Sequence, residues 1–197
     1  MKDMTLFTHD RRIRCCLIQL YGDLQPANAE PLSIETLASA IGNALPSAIV
    51  DLQTLGNSQF LVEQDNLLAT ILASKYDMIG LSCPQGTYEI ASMALRSIYA
   101  IPYPPHIVLG NALPTSLPDL FLANFPHVLI VRGWGEAAII TLCRQIAENC
   151  IQLDAVPSLT YLDTNGIRRD TQIEYAEKPA VPSRIEPARY FARIEAS

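Results

Sequence analysis

Residues 77–98 read DMIGLSCPQGTYEIASMALRSI. Asp77 to Leu81 forms a short apolar run without alternation, Ser82 to Thr87 is a loop containing Pro84 and Gly86, and then Ile90, Met93, Ala94 and Ile98 recur every three or four positions. That order is strand, turn, helix, and an uninterrupted apolar strand is what burial on both faces of a parallel sheet requires. Thr87 stands where a helix cap is expected, and Glu89 puts negative charge in the first turn, at the positive end of the helix dipole.

The same unit recurs on both sides of this stretch. Further strands are expected at Arg14 to Leu20, Ser47 to Leu52, His106 to Leu109 and Val128 to Val131. Between them lie amphipathic faces made by Ile34, Leu37, Ala38, Ile41 and Leu45, by Leu67, Leu68, Ile71 and Leu72, and by Ile139, Leu142, Cys143 and Ile146 after Glu136. A shorter helix is expected over Leu117 to Asn124, opened by Ser116 and Pro118, both tolerated near a helix start. Five βα units predict an α/β fold, a three-layer, doubly wound, parallel five-stranded sheet.

After Asn149 the texture changes. Leu159-Thr160-Tyr161-Leu162 and Ile167-Arg168-Arg169 read as two strands joined through Asn165-Gly166, a C-terminal β-hairpin. Pro179, Pro182 and Pro187 then punctuate a segment with little periodicity. The expected organisation is a tail over 1–13, an α/β domain over 14–150, an appended hairpin over 151–176 and a linker over 177–197.

Composition narrows the function classes. With 49% hydrophobic and 17% charged residues in 197, the chain has enough apolar material for one large core. A net charge of −6 offers no basic surface to neutralise phosphates, which argues against nucleic-acid binding. Cys15, Cys16, Cys83, Cys143 and Cys150 are an odd set without ligand spacing, mostly inside apolar runs, as expected of reduced thiols in a cytoplasmic protein. The apolar stretch after Arg14 is too short for a signal peptide, and no run approaches the roughly 20 residues needed to span a bilayer. His9, His106 and His127 are scattered, so neither a metal centre nor a catalytic triad is expected.

In an open parallel sheet, ligands bind beyond the carboxyl ends of the strands, where the winding reverses. The candidate binding residues are therefore Tyr21, Gly22, Asp23, Leu24 and Gln25 after the first strand, and Ser82, Cys83, Pro84, Gln85 and Gly86 after the third. Gly110, Asn111 and Ala112 follow the fourth; Arg132, Gly133, Trp134, Gly135 and Glu136 follow the fifth. Glycines allow close backbone approach, and Ser82 and Thr87 offer hydroxyls. Gly133-x-Gly135 lacks the third glycine of the dinucleotide fingerprint and follows the wrong strand for it.

These loops, in this order, resemble the cobalamin-binding domain that precedes the barrel in cobalamin-dependent radical-SAM enzymes, over about Arg14 to Asp170. The residues that carry the resemblance are Gly22-Asp23 with Pro31-Leu32-Ser33-Ile34, Ile79-Gly80-Leu81-Ser82, Ile107-Val108-Leu109-Gly110-Asn111, and Val131-Arg132-Gly133-Trp134-Gly135-Glu136. Val156-Pro157-Ser158-Leu159 and the Asn165-Gly166 hairpin complete it. The resemblance implies a flavodoxin- or Rossmann-like domain binding cobalamin. Ser82 would lie near the nucleotide tail, Gly110 and Asn111 beside it, Gly133 to Gly135 at its far end, and the loop after the first strand would face cobalt.

Three features depart from the family pattern. Asp23-Leu24-Gln25-Pro26-Ala27-Asn28 lacks the histidine of Asp-x-His-x-x-Gly, so histidine ligation of cobalt is not expected. The Cys-x-x-x-Cys-x-x-Cys motif of the barrel is absent, so S-adenosylmethionine and a [4Fe-4S] cluster are expected only in a partner barrel of a longer chain. Trp134 stands where an acidic residue is common. The implied role is a cofactor domain holding methylcobalamin for a methyltransferase. The competing readings are a degenerate docking domain and a receiver- or flavodoxin-like module, the receiver being disfavoured because Ser82-Cys83 replaces the phosphoacceptor aspartate at the third strand.

Overall fold

The computed structural model describes residues 11–22, 31–56, 69–70 and 73–174. In chain order the elements are β1 (Arg14–Tyr21), α1 (Leu32–Ala44), β2 (Ile49–Gly56), β3 (Met78–Ser82), α2 (Tyr88–Tyr99) and β4 (His106–Gly110). They continue with α3 (Ala112–Ser116), α4 (Pro118–Asn124), β5 (Leu129–Val131), α5 (Glu136–Ala147), β6 (Leu159–Leu162) and β7 (Arg168–Asp170). A single 3-10 turn, Leu153–Ala155, leads into β6. Leu67, Leu68, Ile71 and Leu72 lie outside the described residues, whereas Ala69, Thr70, Ala73 and Ser74 between and after them are helical.

The strands form one sheet in the order β2-β1-β3-β4-β5-β6-β7. The first five are parallel, as expected, with Leu17 opposite Leu52 on one side and Gly80 on the other. The hairpin is no separate appendage: β6 pairs antiparallel with β5, so the sheet has seven strands rather than five. The β5 edge is otherwise unpaired backbone, and covering it with β6 satisfies those donors and acceptors. Because β3 continues on the opposite side of β1 from β2, the winding reverses between β1 and β3.

Alternation along each strand divides the apolar residues between two cores. Cys15, Leu17, Met78, Val108 and Val131 pack under α1 and α5 through Ile34, Ala38, Ile41, Ile139 and Leu142. Cys16, Ile18, Leu20, Ile79, Leu81 and Leu109 pack under α2, α3 and α4 through Ile90, Leu95, Ile98, Leu113 and Phe121. This is the three-layer arrangement, and each such fully buried Leu or Ile contributes about 1.5–3 kcal/mol relative to exposure.

Local details differ from the expectations. β2 runs to Gly56, four residues beyond the predicted end, because its register with β1 carries through Tyr21 opposite Gly56. The helix predicted over Leu117 to Asn124 forms from Pro118, and an unpredicted short helix, α3, precedes it, the two being hinged at Leu117 (φ −130°, ψ 54°). Thr87 stands at the N-cap position of α2, but its side chain makes no capping bond: its hydroxyl donates to the Pro84 carbonyl at 2.7 Å, closing the loop before the helix. In the hairpin, Gly166 carries the positive φ of 74° and Asn165 does not. The Gly166 N–H donates to the Asp163 carbonyl at 2.9 Å, and Asp163 N–H to the Ile167 carbonyl at 2.9 Å, which makes a three-residue loop with a glycine bulge instead of a two-residue turn.

Candidate functional site

At the carboxyl ends of β1, β3, β4 and β5, on the face covered by α1 and α5, the sheet opens into a groove of about 310 Å³. Its floor is Leu17, Gly80, Val108 and Val131, its walls are Ile34 and Leu37 of α1 and Ile139 of α5, and its rim carries Ser33, Ser82, Asn111, Trp134 and Glu136. Gly80 and Gly110 also line it, and neither adds a side chain. A Cβ on Gly80 would stand 2.7 Å from Leu17 Cδ2, and one on Gly135 would stand 3.2 Å from Leu37 Cδ2. An apolar slot with a few polar groups at its mouth is the usual construction of a small-molecule site.

The polar rim is wired together. The Asn111 side-chain amide donates to Ser82 Oγ at 3.0 Å, Ser82 and Ser33 hydroxyls are 3.1 Å apart, and Ser33 donates to Gln19 Oε1 at 2.8 Å. Gln19 Nε2 in turn donates to the Leu20 carbonyl at 3.0 Å. With Ser33's proton committed to Gln19, the Ser82 proton must point to Ser33, so the chain has one direction from Asn111 to β1. Gln19 and Ser82 are buried, and such a network holds its members in fixed orientations. Across the rim, Glu136 Oε2 is buried and accepts no hydrogen bond among the described residues. A buried acceptor without a donor is costly, and a ligand N–H or O–H would satisfy it.

Of the residues singled out in the sequence, Ser82, Gly110, Asn111, Gly133, Trp134, Gly135 and Glu136 line this groove together. Gly133 adopts a φ of +70°, which lets the chain turn between β5 and α5, and the Trp134 ring at the mouth is half exposed. Tyr21 ends β1 and Gly22 follows it beside the β3 loop, where a Cβ on Gly22 would meet the Gly86 carbonyl at 3.1 Å. Pro84, Gln85 and Gly86 form that loop, and Ala112 opens α3 with its N–H on Asn111 Oδ1 at 2.6 Å. Asp23, Leu24 and Gln25 lie outside the described residues.

Two side chains point elsewhere. Cys83 turns into the core beneath α2, where burial pushes its thiol pKa up and its Sγ lies 3.6 Å from the Leu81 carbonyl. The Arg132 guanidinium reaches the hairpin, donating to the Leu159 and Thr171 carbonyls at 3.3 and 2.5 Å. Sequence reasoning left out Gln19, Ser33, Leu17 and Gly80. Gln19 carried a signal, as the single polar residue inside the otherwise apolar Cys15 to Leu20 run.

Set beside known proteins, this fold has clear counterparts. The B12 binding domain family model matches residues 28–142, more than half of the chain. The chain belongs to the B12-binding domain family. Over 106 residues this B12-binding domain is 28% identical to the 4'-phospho-dehydrooxetanocin synthase of Priestia megaterium, a match that covers 52% of the chain and 14% of that enzyme. It also superposes on the cobalamin-dependent S-adenosylmethionine radical enzyme OxsB, solved with aqua-cobalamin bound, with a TM-score of 0.72 at 25% identity over 84% of the chain and 23% of that protein. The radical S-adenosylmethionine methyltransferase TsrM from Kitasatospora setae shares the fold, with a TM-score of 0.59 at 16% identity over 86% of the chain and 30% of that enzyme. The B12-binding domain described here thus spans less than a third of the length of each of these proteins. No helix among the described residues is long and apolar enough to cross a membrane.

Proposed function

We propose that this B12-binding domain holds methylcobalamin, without a histidine below cobalt, and presents it to a radical-SAM barrel that performs a methyl transfer. The observation that carries the reading is the groove itself: an apolar slot at the point where the winding reverses, in a chain whose family is defined by B12 binding. A volume of about 310 Å³ suits a flat aromatic base with its sugar and is too small for a corrin macrocycle. Leu17, Gly80, Val108 and Val131 would receive the base, Ser82 and Asn111 would position its polar edge, and Glu136 would accept from a donor of the tail. Gly110, Gly133, Trp134 and Gly135, at the strand ends above the slot, would meet the underside of the ring. When bound, cobalamin supplies a cobalt centre that can carry a methyl group, and the protein supplies orientation and exclusion of water.

The absence of a histidine in Asp23 to Asn28 supports a cobalt without an imidazole ligand, and the resemblance to radical-SAM proteins supports a barrel partner that brings S-adenosylmethionine and a [4Fe-4S] cluster. Four buried cysteines outside any disulfide suit a reducing, cytoplasmic setting. The test is a titration of the full chain with hydroxocobalamin followed by gel filtration. A retained corrin spectrum is expected, and its loss with the free ligand overturns the proposal in favour of a docking domain. Electron paramagnetic resonance of the reduced, cobalt(II) form should lack nitrogen superhyperfine splitting; its presence would mean that a nitrogen, from the corrinoid's own base or from a side chain, stays on cobalt, and would overturn the reading in which the base leaves cobalt for the groove.

A further inference from the structure

Asn111 occupies a backbone conformation, φ 80° and ψ −173°, that belongs almost exclusively to glycine. Asparagine tolerates the ordinary left-handed region, but this extended, positive-φ region lies beyond it. The side chain shows what holds it there. Its Oδ1 accepts from Ala112 N at 2.6 Å and its Nδ2 donates to Ser82 Oγ at 3.0 Å. The first bond caps a helix of only five residues, a duty that glycine performs almost as well. The second is the one that glycine cannot replace, and it ends on a hydroxyl that faces the groove.

We infer that Asn111 is a positioning residue: it accepts a strained backbone so that its amide fixes the Ser82 hydroxyl for the nucleotide tail of the corrinoid. This rests on the cobalamin reading above. With Asn111 donating to one lone pair, Ser82 Oγ keeps a single mobile proton, which lies toward Ser33 in the free groove. An entering group that carries an acceptor takes that proton, while the bond from Asn111 continues to hold the oxygen in place and makes it a better donor. Ser33 loses only a donor, because its own proton stays on Gln19 at 2.8 Å. The arrangement therefore offers a preoriented donor with little rearrangement of the network.

The test compares the wild-type chain with Asn111→Gly, Ser82→Ala and the double variant, using hydroxocobalamin and dicyanocobinamide, which has the macrocycle but no nucleotide. Asn111→Gly should melt no lower than the wild type, since glycine is at ease in this conformation, yet bind hydroxocobalamin about tenfold more weakly, the effect of one hydrogen bond. Cobinamide affinity should stay unchanged, and in the Ser82→Ala background the glycine substitution should add no further loss. Wild-type affinity for hydroxocobalamin in Asn111→Gly, an equal loss for cobinamide, or an undiminished loss in the Ser82→Ala background each overturns the assignment. A wild-type chain that retains neither corrinoid overturns the cobalamin reading and this inference with it.

Discussion

Gly80 and Leu17 face one another across adjacent strands so closely that a Cβ built on the glycine would lie 2.7 Å from Leu17 Cδ2. Both residues floor the groove, so the missing side chain is part of its volume. In Gly80→Ala the leucine must rotate, and the open direction is the groove. Stability should fall by about 1 kcal/mol in a urea titration, the lower end of overpacking costs, and hydroxocobalamin affinity should drop about tenfold. Unaltered affinity would show that this floor is not used by the ligand.

Arg132 separates a hairpin role from a site role. Its guanidinium bonds two carbonyls of the β6–β7 region and sits 3.8 Å from Asp170 Oδ1. Arg132→Met keeps the aliphatic stem and removes those bonds, so the chain should lose about 2 kcal/mol in chemical denaturation, typical of charged hydrogen bonds. Corrinoid affinity measured well below the melting temperature should change by less than about threefold, a difference smaller than one hydrogen bond makes. A large affinity loss would return Arg132 to the groove.

Acid should loosen the hairpin. The Ile167 N–H, bonded to Asp163 Oδ1 at 2.9 Å, holds this carboxyl below its usual 3.8, with Arg169 and the Asn165 N–H adding to the effect and burial opposing it. Burial pushes Asp170 up, but hydrogen bonds from Thr160 and Arg168 and the charges of Arg168 and Arg132 outweigh it and leave its pKa lowered. Folded-state values below the unfolded ones mean that this stabilisation is complete above about pH 4 and fades as the pH falls through the depressed values. The protection factor of the Ile167 amide, its exchange rate set against that of the unstructured chain at the same pH, should fall below pH 4, and Asp163→Asn should flatten that dependence; a protection factor in the wild type that does not change with pH would contradict it.

Thiol labelling should distinguish one cysteine from the rest. The hydrogen bond with Cys143, 3.7 Å away, and burial both push the Cys15 thiol pKa up, and burial does the same to Cys83. Only Cys150 is exposed. Ellman's reagent should modify one thiol rapidly in the native chain, and Cys150→Ser should abolish that phase, while the buried thiols react at the rate of unfolding. Rapid labelling of several thiols would mean that the cores on either side of the sheet open readily.

Much of the architecture was legible in residues 77–98 and their repeats, because a buried parallel strand and an amphipathic helix leave local periodicities that need no partner to be seen. The strand-end loops were legible for the same reason, through Gly86, Gly110, Gly133 and Gly135. Arg132 was misleading: beside Gly133 it reads as part of a binding loop, and only the addition of β6 to the β5 edge brings the Leu159 and Thr171 carbonyls within its reach. Gln19 stood out as the one polar residue of an apolar run, but its partner Ser33 is an ordinary polar residue until α1 folds over β1 and brings the two side chains to 2.8 Å. Cys83 faces away from its neighbour Ser82 because successive strand residues point to opposite sides of the sheet.

The succession of strands and helices, the burial of β1, β3, β4 and β5, and the small residues at the strand ends follow from short-range pattern and backbone sterics, whereas β2, whose apolar run predicted burial on both faces, is a half-buried edge strand because nothing pairs beyond it among the described residues. Which of those ends would share a site was decided only by the tertiary structure. The strand order places α1 and α5 on the same face, and the gap at Gly80 becomes a groove only when Ile34, Leu37 and Ile139 wall it in. A cavity and a hydrogen-bond chain are relations among residues distant along the chain, and packing alone creates them.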